Sequence, residues 1–414
     1  MNTSANTAYP VSAFYKSLHP NATHFGYADT LAEIIKSFQI SYGNLLFWAI
    51  FNFKMEYYIN LTNKCNLRCS FCCSGKIVFK NHQKELDDNG INNILSYIRR
   101  DIHSRSKEIN RIVFYGGEPF IVPHIIENII KNTADLKAEY MLYTNGTLID
   151  KMPPSILKSL DIILVSFDGD KNAQEKYRGK GTYQKVIGNL KKLSPKIKNK
   201  IIGRITVEEE TDILKSVINV LKYVSVVHWQ IVNKPKFKND KRFIANYNKQ
   251  VAKLWNYWLK NLENGKILKI IPFQAIVSSL LNKNQIRKSF RCGCGYFMQM
   301  IDMNGKIYDC PESIGFKNRI VGSIYKGNSG LRYEKHTDIW EECKKCPISV
   351  ICLGRCKKNL KIYNQKHLRE YCEMTKFLIS IISNDANRIK SAMHQNKFTL
   401  NKIYSGPFCT EEIP

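Results

Sequence analysis

The sequence predicts an α/β protein built on a parallel sheet, and two observations lead there. Short β-rich runs recur at Met55–Leu61, Arg111–Tyr115, Tyr140–Thr144, Asp161–Phe167, Ile201–Val207 and Ser225–Val232. Between them lie stretches of helical character, among them Leu86–Ile102, Ile125–Asn132, Thr182–Leu193 and Asp212–Tyr223. Strand–helix alternation through six strands predicts a parallel sheet, open or curled into a barrel. The ligand site of such a sheet is expected at the C-terminal ends of its strands.

The remaining segments follow in order. Residues 1–54 have no clear period and read as an N-terminal extension, and 55–238 form the strand–helix core. A basic helical linker spans 239–290, a cysteine-rich segment of little regular period spans 291–373, and a helix from about Met374 to Met393 with a polar tail fills 374–414. A chain of 414 residues is long for one core and suits two or three domains.

Composition narrows the class. A hydrophobic fraction of 44% is that of a globular protein, not a disordered one. The net charge of +28 is compatible with nucleic acid, an anionic membrane surface or an acidic polypeptide as partner, and equally with a general richness in lysine. The start, MNTSANTAYP, lacks the basic and apolar regions of an export signal, and Leu45–Phe51 is too short to span a bilayer. Thirteen cysteines in a chain without such a signal point to metal binding or catalysis rather than disulfides, hence to the cytoplasm.

The cysteines fall into two groups. Cys65, Cys69 and Cys72 read C-x3-C-x2-C directly after the first strand. Three thiolates can hold three corners of an iron–sulfur cubane and leave one iron open, whereas a structural zinc wants four ligands. The second group is Cys292, Cys294, Cys310, Cys343, Cys346, Cys352, Cys356 and Cys372. Eight thiols suit two fully ligated centres, and by count alone two zincs would serve as well as two clusters. Cys73 and Cys409 remain as spare thiols.

The stretch Cys65-Asn-Leu-Arg-Cys69-Ser-Phe71-Cys72 resembles the signature of radical S-adenosylmethionine (radical SAM) enzymes, including the aromatic before the last cysteine. The later cysteines are similar to the SPASM extension of that family: Gly305, four residues, Cys310, then the run Cys343-x2-Cys346-x5-Cys352-x3-Cys356 and a final Cys372. Either Cys292 or Cys294 can open that pattern. The resemblance covers about Met55 to Cys372 and implies a partial (β/α)6 barrel followed by a domain holding two auxiliary clusters, each of [4Fe-4S] type. It also implies that the first three cysteines hold a [4Fe-4S] cluster whose fourth iron is chelated by SAM, and that reductive cleavage of SAM yields a hydrogen-abstracting radical.

Further residues carry over by motif. Gly116-Gly117-Glu118-Pro119 matches the GGEP element, whose backbone and carboxylate meet the SAM amino group. Ser166-Phe-Asp168-Gly169 resembles the element that reaches the SAM ribose, and Arg178 stands where an arginine pairs with the SAM carboxylate. Asn145, in Thr144-Asn145-Gly146, is expected at the same mouth, and Val207 is a candidate for adenine contact or for core packing.

For function, the resemblance implies a peptide maturase that installs an oxidative cross-link in a ribosomally made precursor. Sulfatase maturation, peptide epimerisation and, from another class, nucleic-acid binding are the alternatives. Sulfatase maturases carry an aspartate directly after the equivalent of Cys310, where this chain has Pro311 and then Glu312. Residues 1–54 are too few for a winged-helix leader-binding domain, so a precursor, with an acidic leader suited to the basic surface, would be held otherwise. A low-potential donor such as flavodoxin or ferredoxin is implied, and no membrane partner. Nucleic acid is disfavoured: only Trp255-Asn-Tyr257-Trp258 offers aromatics among basic residues, and core packing explains them equally well.

Overall fold

The computed structural model describes residues 55–78, 84–105, 110–233, 240–281, 292–294, 297–326, 341–354, 356, 364–405 and 413. The expected N-terminal extension (1–54), the end of the linker (282–290) and Cys409 lie outside the described residues.

One sheet organises the described chain. Its first six strands are β1 (Glu56–Thr62), β2 (Arg111–Gly116), β3 (Glu139–Thr144), β4 (Ile162–Ser166), β5 (Ile201–Val207) and β6 (Val226–Ile231). They lie side by side in chain order, every neighbouring pair parallel. Such an order needs a crossover after each strand, which the intervening helices supply. β1 and β6 do not pair with each other, so the parallel set stays open rather than closing into a full barrel. The expected α/β class is observed, and each expected strand falls within two residues of its predicted ends.

Alternation along the strands builds the core. Tyr58, Val113, Met141, Leu164, Ile202 and Val226 belong to one buried cluster on the inner face. At the N-terminal ends of the first three strands, Arg111 bridges Glu56 at 2.5 Å and Glu139 at 2.9 Å, a largely buried charge network that fixes their register. Two helices begin on side-chain caps: Asp170 accepts from the Ala173 amide before Lys171–Arg178, and Asp212 from the Lys215 amide before Ile213–Val220.

The cysteine-rich segment departs from its expected irregularity. It contributes β8 (Met298–Ile301), β9 (Lys306–Tyr308) and β10 (Ile320–Ser323), and β8 runs parallel to β1 at the edge of the main sheet. A two-residue strand β7 (Lys269–Ile270) extends the opposite edge beside β6. The expected C-terminal helix is two, Gln365–Asn384 and Ala386–Gln395, broken at Asp385. Asp385 leaves the helical path because its carboxylate is held by the Trp255 indole N–H at 2.7 Å and by Arg388 at 3.1 Å.

The linker contains a helix over Asp240–Glu263 and another over Ile271–Leu281. Trp255 and Trp258 are buried, stacked at 5.0 Å, and both meet the ring of Phe273 edge-on. Their indole N–H groups bond Asp385 and the Leu268 carbonyl. Trp255 and Trp258 are therefore core, whereas Tyr257 of the same stretch is exposed. Among the described residues no helix is long and apolar enough to cross a membrane.

Phe273 is fully buried at the centre of Trp229, Trp255 and Trp258. Phe273→Ala is expected to cost about 3–5 kcal/mol, read as a large drop in the thermal unfolding midpoint.

Candidate functional site

The loop after β1 carries Cys65, Cys69 and Cys72, and it lies across the ends of several strands because backbone bonds tie it there. The Glu118 amide donates to the Lys64 carbonyl at 2.8 Å, and the Ser70 amide to the Tyr177 carbonyl at 3.0 Å. Side chains add a second tether: Asn145 donates to Asn66 at 2.8 Å, and Asn66 donates to Thr147 at 2.8 Å. All three cysteines are half-buried. Burial pushes the thiols up, Cys65 to about 11 and Cys72 to about 12, so as bare thiols they stay protonated at neutral pH. The Leu67 amide and the Asn145 side chain work the other way at Cys65 by donating to its sulfur.

The glycines of Gly116-Gly117-Glu118-Pro119 are needed for close approach. Gly116 has φ +142°, and a Cβ there would lie 2.4 Å from the Thr62 carbonyl oxygen. A Cβ on Gly117 would lie 2.2 Å from the Lys64 oxygen. Any side chain at either position would push the cysteine loop off the sheet. Glu118 is fully buried and turned inward. Its carboxylate accepts from the Phe120 amide at 3.1 Å, the Thr144 hydroxyl at 2.8 Å and the Asn145 amide at 2.7 Å. Burial outweighs those donors and raises its pKa to about 7. The carboxylate expected to face a ligand ammonium thus locks the end of β3 to the end of β2. Pro119, also buried, opens the single 3-10 turn that follows.

A second buried charge sits two strands on. Asp168 and Arg178 form a forked ion pair, Nε to Oδ2 at 2.5 Å and Nη2 to Oδ1 at 3.1 Å, with both side chains at least nine-tenths buried. Asp168 also accepts from the Thr206 amide at 2.8 Å, and its own amide donates to Gln174 at 2.7 Å. The residues assigned by motif to a ribose and a carboxylate are paired with each other. The rest of the guanidinium faces the cysteine loop: Nη1 is 3.9 Å from the Cys69 sulfur, and the group lies 5.0 Å above the Phe71 ring. Burial raises the Cys69 thiol, and Arg178 opposes that rise. Phe71 packs in turn on Tyr177.

Ser166 ends β4 half-buried, and its carbonyl accepts from Gln174 at 3.4 Å. Val207 is buried at the end of β5, opposite Ile231. Sequence reasoning missed Asn66, Thr206 and Tyr177, whose roles come from the loop's path rather than from any motif. Cys73, set aside there as a spare thiol, is exposed, and its sulfur lies 3.5 Å from the Tyr115 hydroxyl. Burial holds Tyr115 well above the usual phenol range, with Cys73 and then Glu312 adding to the rise. Glu312 accepts from Asn233 at 2.7 Å.

Among the C-terminal cysteines, the structure brings Cys292, Cys294 and Cys310 together: the Cys294 thiol is in hydrogen-bonding contact with both others. Those contacts, followed by burial, hold it well above the usual thiol range. Cys343 and Cys346 are linked through backbone, with the Cys346 amide on the Cys343 carbonyl at 3.2 Å. Cys352 ends a single turn and donates to the Gly354 carbonyl at 3.6 Å. Cys356 and Cys372 are half-buried.

The donor set at the first loop suits a polynuclear cluster. Half-buried thiols become thiolates beside a compensating positive charge, which a bound metal supplies. Among the described residues these three sulfurs do not form a single-ion group, for which every donor would lie within 4.8 Å of the others.

The chain is similar to several known proteins. Residues 59–220 match the radical SAM superfamily. The chain is 23% identical over 343 residues to a cysteine-type anaerobic sulfatase-maturating enzyme of Clostridium novyi, covering 72% of this chain and 86% of that enzyme. It is 27% identical over 371 residues to the radical SAM cyclopropyl synthase TigE of Paramaledivibacter caminithermalis, covering 81% and 76%. By fold it matches native anSMEcpe with bound AdoMet and Cp18Cys peptide at TM-score 0.63 and 19% identity, over 81% of this chain and 99% of that one. It also matches Streptococcus suis SuiB bound to precursor peptide SuiA at TM-score 0.51 and 16% identity, over 84% and 83%.

Removing one partner of a buried ion pair strands the other, so Asp168→Ala is expected to cost about 3–5 kcal/mol, seen as a lowered unfolding midpoint. Glu118 gives a pH signature. Its folded pKa is raised from 4.5 to about 7, so the stability it contributes is fully present below 4.5 and is lost as pH rises through 7. The stability gap between wild type and Glu118→Gln, measured by chemical unfolding, should therefore narrow across that window.

Proposed function

Residues 59–220 of this chain are a radical SAM domain, and from that premise we propose a radical SAM maturase that modifies a peptide or protein, installing an oxidative cross-link in a ribosomally made precursor. The observation that carries this reading is the seating of the Cys65–Cys72 loop over the strand ends, held there by Gly116, Gly117 and the Arg178 contact to Cys69. In this reading Cys65, Cys69 and Cys72 would hold a [4Fe-4S] cluster, and residues at the ends of β2 to β5 would hold SAM. When bound, these groups would supply a low-potential electron and a hydrogen-atom acceptor strong enough for an unactivated C–H bond.

The chain's own residues do the positioning. Gly116 and Gly117 let the backbone of the cysteine loop close onto the end of β2, which brings the three cysteines to the strand ends. Ser166, at the end of β4, would meet the SAM ribose as the motif implies. Arg178, fixed by Asp168, places a positive charge on Cys69 and favours its thiolate. Asn145 does the same for Cys65 with a neutral donor. Phe71 lies against the guanidinium and is backed by Tyr177.

A cross-link removes two hydrogens from the substrate, one as an atom and one as a proton with its electron. Cys292, Cys294 and Cys310, together with Cys343, Cys346, Cys352, Cys356 and Cys372, would hold the two auxiliary clusters of a SPASM domain. Four cysteines on each leave no open iron and suit them to accept that electron. A donor such as flavodoxin or ferredoxin would feed the first cluster, and the +28 charge suits an acidic leader. The named relatives support sulfatase-type maturation equally, while Pro311 in place of an aspartate directly after Cys310 weighs against it.

The test is the intact mass of candidate peptides co-expressed with the enzyme under low oxygen, beside a Cys65/Cys69/Cys72→Ala triple variant. Loss of two hydrogens per event, absent with the variant, is the expected result. Replacement of a cysteine sulfur by a carbonyl oxygen would establish the sulfatase-type reaction instead. An unchanged mass while deoxyadenosine still accumulates would sink the cross-link.

A further inference from the structure

Helix Lys171–Arg178 ends by delivering one charged side chain inward. The helix stops there because Gly179, at φ +105°, turns the chain away after its amide closes on the Glu175 carbonyl at 3.1 Å. Its last residue, Arg178, is only 8% exposed. The Ser70 amide on the Tyr177 carbonyl ties the cysteine loop to the same turn, which sets Cys69 beside Arg178.

Both forked edges of the guanidinium are engaged. Nε and Nη2 hold Asp168 at 2.5 and 3.1 Å. Nη2 also reaches Thr206 Oγ1 at 3.4 Å, and Nη1 reaches the Cys69 sulfur at 3.9 Å. Gripping a carboxylate from two sides takes a pair of parallel N–H groups, and Asp168 already has them. Asp168 is in turn fixed by the Thr206 amide at 2.8 Å, so turning the pair aside breaks a buried network. The arginine that the motif assigns to the SAM carboxylate is therefore built toward a cysteine sulfur.

Reduction adds one electron to a cluster that already carries thiolate charge, and no bond in the protein forms or breaks. A cation and an N–H donor at a ligating sulfur stabilise the reduced, more negative state and so raise the reduction potential. Asp168 sets an opposite charge beside the guanidinium and holds that effect down. We propose that Arg178 is a positioning residue that raises the reduction potential of the cluster held by Cys65, Cys69 and Cys72, with Asp168 limiting the rise, rather than a ligand of the SAM carboxylate. The inference rests on the reading above that Cys69 ligates a [4Fe-4S] cluster.

The test is a reductive titration of full-length, cluster-loaded protein without SAM, followed by EPR. The signal to follow is the one missing from the Cys65/Cys69/Cys72→Ala triple variant. Arg178→Gln is expected to make reduction about tenfold less favourable, a shift of about 59 mV to lower potential for a one-electron couple. Asp168→Asn is expected to shift the potential the opposite way. Opposite signs mark a charge effect, since a loosened loop would move both variants alike. Iron and sulfide content equal to wild type shows that a variant is loaded; if Arg178→Gln fails to load, the sign of the Asp168→Asn shift decides alone. Unchanged potentials, or shifts of the same sign, would overturn the proposal. So would weakened binding of labelled SAM to Arg178→Gln at an unchanged potential, which would return Arg178 to the SAM carboxylate. If the triple variant keeps every signal of the wild type, the cluster reading itself falls, and this inference with it.

Discussion

The cysteine loop keeps its place because two buried charges beneath it are fully occupied by the protein. Glu118 gathers three donors from the ends of β2 and β3, and Asp168 takes the fork of Arg178 and an amide from β5. Neither acid can be moved without stranding partners in a dry interior, a cost of several kcal/mol. Strand ends that would otherwise splay are tied to one another, and the loop's own contacts are made to those tied ends. Arg178 joins the two layers, since one face of its guanidinium serves Asp168 and the other serves Cys69 and Phe71.

Much of this was legible in the sequence. Parallel strands buried on both faces read as short apolar runs, so β1 to β6 were found close to their observed ends. The motif residues fell at strand ends, where topology gathers loops from distant positions. Less legible was which way a polar side chain would turn. Glu118 and Asp168 sit in motifs that suggest a ligand, but their carboxylates face inward. That choice is made by donors 26 and 27 residues away for Glu118, and 10 and 38 away for Asp168, which no local pattern encodes.

The cysteine-rich segment was harder for a related reason. Its strands are three or four residues long, too short for alternation to register as a period, and β8 gains its stability by adding to a sheet edge built earlier in the chain. The choice between Cys292 and Cys294 as the first residue of the later motif also dissolves in three dimensions, since Cys294 contacts both Cys292 and Cys310. The break at Asp385 depends on Trp255, 130 residues earlier.

The ladder between β1 and β8 has a mechanical consequence. It joins the strand that launches the first cysteine loop to the strand between Cys294 and Cys310, with matched pairs from Glu56–Met298 to Ile59–Ile301 and the Glu56 amide on the Phe297 carbonyl at 2.7 Å. A continuous row of backbone hydrogen bonds is not a hinge; rotating one side against the other would break several at once. The two cysteine regions therefore move as one body. Any opening of the strand ends must come from connections between strands, leaving the spacing of Cys65–Cys72 from Cys294 and Cys310 unchanged.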